Sequence, residues 1–258
     1  YMPYQNQLET KLEAVRDQLS RIAGIDFQVL SHITHSDQNW HYRNQIQCHV
    51  TQDGELGFMR ADNTGIFPIK HCEIAMPGLN ALLDTINLDP ESGIKRVTFR
   101  EDSDGECFVL LEGDEALPPE LTVELEVSAG YMDAKQNYHH LAGTDQLHYQ
   151  ILDKDFTVSP GSFFQVNNAV SEKLVKHVID LAKDIAPHKV LELYSGAGLF
   201  SAFLAPMVSQ LIAIESTPSA CYDFANNLDA FDNVSLYEGA VEAILPGLLP
   251  LLKPEPPD

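Results

Sequence analysis

The residues best suited to hold a small ligand lie in a short stretch of the last third of the chain. Gly196 and Gly198 follow the apolar run VLELY and precede the helix-like LFSAFLA, and such a glycine turn lets the backbone approach a nucleotide closely. Glu192 stands four residues before Gly196, a placement typical of S-adenosylmethionine (SAM) sites, whereas Ser201 replaces the third glycine of the dinucleotide fingerprint. Glu215 ends the next apolar run, where a carboxylate can accept hydrogen bonds from both ribose hydroxyls. The pattern favours a SAM site, and a plain strand–turn–helix connection without a ligand is the alternative.

A second group of polar residues lies upstream, in FTVSPGSFFQVNNAVSEKLV (Phe156–Val175). Ser159-Pro160-Gly161 predicts a turn, and two phenylalanines follow it. Gln165 and Asn167 then offer side-chain amides near the start of a helix. These amides are candidates for contacts to a ligand, and a helix entry with aromatic packing is the alternative interpretation.

Alternating strands and helices must position the glycine turn. The apolar spacing predicts a helix from Ser171 to Ala186, ended by Pro187. Three strand–helix units follow, with strands at Val190–Tyr194, Gln210–Glu215 and Val234–Tyr237 and with later helices at Pro218–Leu228 and Val241–Leu252. This alternation predicts a parallel, doubly wound sheet. Because three units are fewer than a complete sheet of this kind contains, we expect a truncated one.

The preceding part of the chain has short alternating runs instead. An amphipathic pattern predicts a helix from Gln5 to Ile22, ended by Gly24. From Phe27 to Val127 the pattern predicts an α+β module of antiparallel hairpins. Its expected features are a hairpin turning at Asp53-Gly54, a helix beginning at Pro77, a hairpin turning at Asp102–Gly105 and a strand ELTVELEV. After this module we expect a polar, irregular connection, YMDAKQNYHHLAGTD, and then strand structure with a turn at Lys154-Asp155. We therefore expect three regions, residues 1–25, 26–143 and 144–258.

Composition limits the classes of function. The chain of 258 residues has 38 acidic and 16 basic residues, and its formal charge of −22 argues against a nucleic-acid-binding protein. The longest apolar run is interrupted by Pro246 and Pro250, so no membrane span is expected. Scattered cysteines without a CxxC motif are typical of reduced thiols in a cytoplasmic protein. The four cysteines are Cys48, Cys72, Cys107 and Cys221.

Five segments closely resemble the SAM-dependent RNA uracil-5 methyltransferases, which modify uridines of tRNA and rRNA. SFFQVN resembles the motif that precedes the SAM fold of that family, and LELYSGAGLF resembles its LELYCGxG(T/N)F cofactor loop. The N-terminal helix, HYRNQIQCHV and GELGFMRADNTGIFPIKHCEIAMPGLN resemble three further blocks in the same order. The resemblance implies an α/β fold in which a truncated Rossmann-like SAM methyltransferase sheet follows an α+β antiparallel central module. It also implies that the N-terminal helix packs on the methyltransferase part.

The resemblance implies which residues contact the cofactor. The cofactor positions of the family correspond to Gln165, Tyr194, Gly196, Gly198, Leu199 and Glu215, with Glu215 as the ribose-binding acid. Leu199 stands where family members often have Thr or Asn, and Ser195 replaces a frequent Cys. For Tyr194 and Leu199, core packing at the end of a strand is the alternative.

An RNA-facing strip and one metal ligand are implied as well. The strip consists of Tyr42, Arg43, Asn44 and Arg60, because arginine suits contacts to phosphates and base edges. Pairing of Arg43 with a carboxylate is the alternative. Cys72 stands where the family has the fourth ligand of a 4Fe-4S cluster, whose other ligands would precede Tyr1. A cluster needs its full set of thiolates, so we expect Cys72 to be a free thiol in this chain.

The reaction of the family needs a cysteine thiolate that adds to C6 of uracil, so that C5 can attack the SAM methyl group, and a base that removes the C5 proton. None of the four cysteines matches the sequence context of that nucleophile, which we expect beyond Asp258. We interpret the chain as a piece of an RNA methyltransferase that transfers methyl from SAM to C5 of uridine in rRNA or tRNA, inactive by itself. The alternatives are a non-catalytic RNA- or protein-binding module on this scaffold and a SAM methyltransferase with another substrate.

Overall fold

The computed structural model describes residues 2–25, 33–86, 88–119 and 127–252, and for residues 250–252 it describes the backbone only. It divides into two compact units, Tyr1–Trp40 and His41–Asp258. The predicted strand ELTVELEV lies almost wholly outside the described residues. Within the described residues, no helix is both long enough and apolar enough to cross a membrane.

The first unit contains the predicted N-terminal helix. Helix α1 spans Tyr4–Gln18 and continues as one π-helical turn, Leu19–Ala23. Gly24, with φ of 65°, ends it, because glycine reaches the left-handed region without a steric penalty and lets its N–H bond back to Ser20 O. The helix and its end are confirmed. Its packing on the methyltransferase part stays a prediction.

The second unit begins with a seven-stranded sheet and one helix, α2. The strand order is β3-β2-β1-β4-β5-β6-β7, and all neighbours are antiparallel except β5 and β6, which are parallel. The elements are β1 (Gln45–Val50), β2 (Leu56–Met59), β3 (Ile66–Pro68), α2 (Pro77–Thr85), β4 (Ile94–Glu101), β5 (Cys107–Gly113), β6 (Ser128–Met132) and β7 (Tyr138–Ala142). Helix α2 covers one face of this sheet, where Leu79 packs with Val97 and Phe99 in a core whose members are hardly exposed.

Two of the predicted hairpins are confirmed, and one predicted connection is wrong. Gly54 and Gly105 have φ of 80° and 83° in the turns between β1 and β2 and between β4 and β5. The segment expected to be an irregular connection contains the end of β6 and all of β7 instead. Strand β7 lies at the edge of the sheet with most of its side chains partly exposed, so its polar composition hides the strand pattern. The Asp133 carboxylate closes the intervening turn by accepting the backbone N–H groups of Lys135 and Asn137.

A two-stranded hairpin, a long helix and a parallel sheet follow. The hairpin consists of β8 (Leu147–Ile151) and β9 (Lys154–Val158), and the parallel sheet has the order β10-β11-β12. The further elements are α3 (Asn168–Ile185), β10 (Lys189–Leu193), α4 (Leu199–Leu204), β11 (Gln210–Glu215), α5 (Pro218–Asn227), β12 (Val234–Glu238) and α6 (Val241–Leu252). The predicted turn at Lys154-Asp155 is wrong, because the chain turns at Leu152-Asp153, where Leu152 has φ of 56°. Lys154 belongs to β9, and its Nζ lies 5.5 Å from the ring centroid of Phe203.

Helices pack on both faces of the parallel sheet, which confirms the α/β class. Alternate residues of β11 point to opposite faces, because side chains alternate along a strand. Leu211 and Ala213 share a core with Leu204 of α4 and Phe224 of α5. The intervening residues pack on the opposite face with α6, in a core formed by Ile212, Ile214, Val241 and Leu248.

Candidate cofactor-binding site

The loop between β10 and α4 has the backbone conformation that the glycines allow. Gly196 and Gly198 have φ of 56° and 86°, and Tyr194 also lies in the left-handed region with φ of 59°. A Cβ atom on Gly198 would lie 2.3 Å from Cδ1 of Leu228, so any other residue would displace that side chain and strain the left-handed backbone. A Cβ atom on Gly196 would meet no atom within 4 Å. The loop is therefore packed against α5 on the Gly198 side and open at Gly196.

The Glu215 carboxylate joins the end of β11 to this loop. Its Oε2 accepts the Gly196 N–H at 2.9 Å, and its Oε1 accepts those of Ser216 at 2.7 Å and Thr217 at 2.8 Å. Burial raises the pKa of Glu215, but the backbone hydrogen bonds outweigh burial and hold the pKa below its usual value. The Thr217 side chain adds a fourth hydrogen bond, so a ligand hydroxyl would displace or share one of the donors that now occupy the roughly four lone-pair sites of the carboxylate.

Glu192 takes a different role from Glu215. It accepts a hydrogen bond from the hydroxyl of Ser201, which is 0 % exposed inside α4. Burial raises the pKa of Glu192 to about 7, and the hydrogen bonds from Ser201 oppose this rise only in part. Ser201, which stands in place of the third fingerprint glycine, thus links β10 to α4 beneath the glycine loop.

Tyr194 and Leu199 differ in their surroundings. The Tyr194 ring is 66 % exposed, and its hydroxyl donates to Oε1 of Glu242 at 3.0 Å. Leu199 is buried in the aromatic core that includes Phe156 and Phe203. The packing favours the core alternative for Leu199 and leaves Tyr194 accessible to a ligand.

The segment Ser159–Asn168 connects β9 to α3. Phe164 is buried and stacks on Tyr149 with 4.7 Å between ring centroids, whereas Phe163 is 70 % exposed. Gln165 is half-buried, and the Asn167 side chain caps α3 by accepting the Val170 N–H. Asn167 therefore serves as the N-cap of α3, in line with the helix-entry interpretation. The side chain of Gln165 remains the candidate for a ligand contact.

Two residues of α5 connect this segment to the glycine loop. Asp223, 1 % exposed, accepts the backbone N–H of Ser159 at 2.9 Å and also its hydroxyl. The Asn227 amide donates to Thr157 O at 3.1 Å and to Ala197 O at 2.9 Å. The sequence analysis missed both residues, because no local pattern distinguishes a polar residue on the buried side of α5.

The predicted RNA-facing residues are not equivalent in the structure. Asn44 is 3 % exposed, and its amide donates to Gln165 O at 3.0 Å and to Asn168 Oδ1 at 2.7 Å. Tyr42 and Arg43 are half-buried, and Arg60 is exposed with its guanidinium 5.7 Å from the ring centroid of Phe67. Because the polar atoms of Asn44 face the protein, an RNA contact is proposed below only for Tyr42, Arg43 and Arg60.

Cys72 is buried beside Cys48 in the core under α2. Its backbone N–H donates to Oδ1 of Asn80 at 2.8 Å, and the proximity of the Cys72 thiol adds to burial in raising the pKa of Cys48 to about 12. Cys107 is half-buried and Cys221 is buried in α5. In the described part of the chain, no three His, Cys, Asp or Glu side chains are grouped so as to hold a metal ion. The described residues therefore do not fit a 4Fe-4S cluster, whereas the open glycine loop and Glu215 fit SAM.

Comparisons with known proteins agree with this geometry. The family model for tRNA (Uracil-5-)-methyltransferase matches residues 135–244. An RNA methyltransferase of Streptomyces avermitilis is 27 % identical over 93 % of this chain and 59 % of its own length. The 23S rRNA (uracil(1939)-C(5))-methyltransferase RlmD of a Shewanella species is 24 % identical over 95 % of this chain and 60 % of its own length. The chain thus spans about three fifths of the curated relatives it matches.

A solved structure shares the fold. The tRNA (uracil-54, C5)-methyltransferase of Pyrococcus abyssi, in complex with S-adenosyl-L-homocysteine, has a TM-score of 0.69 and 22 % identity, covering 92 % of this chain and 64 % of that one. The family-model match spans β7 to α6, and so includes the glycine loop and Glu215. The chain is therefore similar to RNA uracil-5 methyltransferases, and its match to the family model covers residues 135–244.

Proposed function

We propose that the chain binds SAM at the glycine loop and belongs to an enzyme that methylates C5 of uridine in rRNA or tRNA. The observation that supports this most is the Glu215 carboxylate, which has a lowered pKa and accepts the Gly196 N–H at the open side of the loop. This arrangement suits an adenosyl group whose ribose hydroxyls donate hydrogen bonds. The relatives named for uracil-5 methylation supply the reaction class and the RNA partner.

Each residue at the loop has a distinct role in this proposal. Glu215 accepts from the ribose, Gly196 leaves space for the ligand, and Gly198 lets the loop pack on α5. Tyr194 and Gln165 border the ligand, while Leu199 supports the loop from the core. When bound, SAM supplies an electrophilic methyl group. In this proposal the RNA is contacted by Tyr42, Arg43 and Arg60.

We further propose that none of the four cysteines is the nucleophile. Cys48, Cys72 and Cys221 are buried, and burial is the main cause that raises the thiol pKa of Cys48 to about 12 and those of Cys107 and Cys221 to about 11. A nucleophilic cysteine instead has a lowered pKa and an accessible sulfur. The nucleophile and the base that removes the C5 proton are therefore expected in a part of the enzyme outside this chain.

Calorimetry with S-adenosylhomocysteine tests the binding site. Wild-type protein should bind, and Glu215→Gln should weaken binding about 10- to 150-fold, because a hydrogen bond to a charged acceptor contributes about 1.5–3 kcal/mol. Asp114→Asn, which alters an exposed carboxylate paired with Lys95, is the control and should keep wild-type affinity. Absence of binding by folded wild-type protein would contradict the SAM site.

A methyl-transfer assay tests the role of the cysteines. With tritiated SAM and unmodified rRNA or tRNA, this chain alone should place no label on C5 of uridine. Label on C5 that disappears in a cysteine-to-serine variant would identify a nucleophile among the four and overturn the assignment. RNA binding without any S-adenosylhomocysteine binding would favour the non-catalytic RNA-binding alternative.

A further inference from the structure

Two buried polar side chains hold the two ends of the segment Ser159–Asn168. One of them belongs to a strand of the antiparallel sheet, and the other lies just before the first strand of that sheet. Arg100 of β4 is 1 % exposed, and its Nη1 donates to the carbonyl oxygens of Ser159 at 3.2 Å, Pro160 at 2.9 Å and Ser162 at 2.9 Å. Asn44, just before β1, holds the other end through Gln165 O and Asn168 Oδ1, and its backbone N–H donates to Val166 O at 3.0 Å. We name this pair the Arg100–Asn44 clamp.

The cost of burying Arg100 argues for a positional role. Transferring a guanidinium from water into the protein costs several kcal/mol unless its charge is compensated. Among the described residues, Arg100 forms no ion pair with a carboxylate, and its charge is compensated by the three carbonyl dipoles and by the Tyr149 ring, whose centroid lies 5.6 Å away. Three carbonyl groups converge on one nitrogen only when the turn has this conformation. The buried charge and the turn therefore depend on each other.

Between the two ends held by the clamp, the side chains in the middle of the segment have defined positions. Phe164 is fixed in the core, Phe163 is exposed, and Gln165 has its carbonyl oxygen held while its side chain stays half-buried. The start of the segment is tied to the glycine loop through Asn227, which bonds both Thr157 and Ala197. Displacement of the turn would therefore move both Gln165 and the attachment of the loop.

We propose that Arg100 and Asn44 are positioning residues of the cofactor site, which hold Gln165 in place from the antiparallel sheet before the ligand binds. This proposal rests on the proposed SAM site, and it assigns to that sheet a role beyond contact with RNA. A ligand gains affinity when the residues that meet it are already ordered, because less conformational entropy is lost on binding. Loosening the clamp should therefore weaken binding without unfolding the parallel sheet.

The test compares Arg100→Met, Arg100→Lys and Asn44→Ala with the control Arg96→Met. Arg96 lies on the same strand but pairs with Glu112 and does not contact the segment. Hydrogen exchange of the ligand-free proteins should rise at least about tenfold at residues 157–168 in Arg100→Met and Asn44→Ala, with β11 unchanged. Affinity for S-adenosylhomocysteine, measured where melting curves show folded protein, should fall about tenfold in both variants. Arg100→Lys should recover part of the loss, and Arg96→Met should stay within twofold of wild type.

Each outcome decides the proposal. Wild-type exchange and wild-type affinity in folded Arg100→Met and Asn44→Ala would overturn it, as would an increase in exchange spread equally over β11. If Arg100→Met fails to fold, Arg100→Lys and Asn44→Ala decide through the same two measurements. If wild-type protein does not bind S-adenosylhomocysteine, the proposed SAM site fails, and the exchange experiment alone still decides whether the clamp holds the segment.

Discussion

At the scale of single residues, the two acidic groups near the glycine loop have opposite electrostatics. Backbone N–H groups hold the pKa of Glu215 below its usual value despite burial, while burial raises the pKa of Glu192 to about 7. Ser201 supplies Glu192 with its hydroxyl and one backbone hydrogen bond, whereas Glu215 receives three backbone N–H groups and the Thr217 side chain. The larger number of donors therefore explains why the pKa of Glu215 is lowered while that of Glu192 is raised.

The raised pKa of Glu192 predicts a pH-dependent stability. Because burial favours the protonated form, the stabilisation from Glu192 is fully present below about pH 4.5 and is lost as the pH rises toward 7. Glu192→Gln, which mimics the neutral acid, should raise Tm by roughly 3 °C at pH 8 and leave it unchanged near pH 4.5. Thermal melts at both pH values check this, with exposed Glu91→Gln as the control. An equal Tm shift at both pH values would contradict it.

At the scale of elements, the sequence predicted those helices and strands whose ends are set by local chemistry. Gly24 ends α1, Gly54 and Gly105 lie in tight turns, and Pro218 begins α5. The errors arise where tertiary contacts decide. The polar edge strand β7 lacks an apolar face, and Lys154 is held in β9 by the rings of Phe203 and Phe231 rather than placed in the turn.

The two glycines of the loop should respond differently to a methyl group. Gly198→Ala meets Leu228 and Phe224 in addition to its backbone strain, so it should lower the free energy of unfolding by about 2–3 kcal/mol. Gly196→Ala has only the backbone strain, about 1–2 kcal/mol, but its methyl group enters the proposed ligand space. Chemical denaturation and calorimetry with S-adenosylhomocysteine separate the effects. A greater stability loss in Gly196→Ala than in Gly198→Ala would refute this packing argument.

At the scale of the whole molecule, the sequence predicted a candidate site but not the contacts that hold its segments in place. Motifs identified Gln165, Gly196 and Glu215, because these residues lie in contiguous stretches. Arg100 and Asn44 act on residues about 60 and 121 positions away, and no local pattern encodes such pairs. The sequence alone does not distinguish a buried arginine on a strand from an exposed one, because the carbonyl groups that it bonds lie far away in the chain.

The charge of −22 predicts weak binding of RNA by this chain alone. If Arg43 and Arg60 are the two phosphate contacts, log Kd plotted against log salt concentration should have a slope of about 1.4 for single-stranded RNA. Filter binding between 50 and 200 mM salt measures this slope, and Arg60→Gln should lower it to about 0.7. Asp114→Asn serves as the control. A slope of 4 or more would show that other cations dominate the interface.

The contact between Asn44 and Gln165 also has a consequence for synthesis on the ribosome. The two residues are separated by 121 positions, so at about 5–20 residues per second Gln165 is made roughly 6–24 s after Asn44. Strands β1 and β4 are complete before that time and can pair without the rest of the chain. The nascent protein therefore passes through a period in which its antiparallel sheet can already form while none of the residues proposed to contact the ligand has been translated.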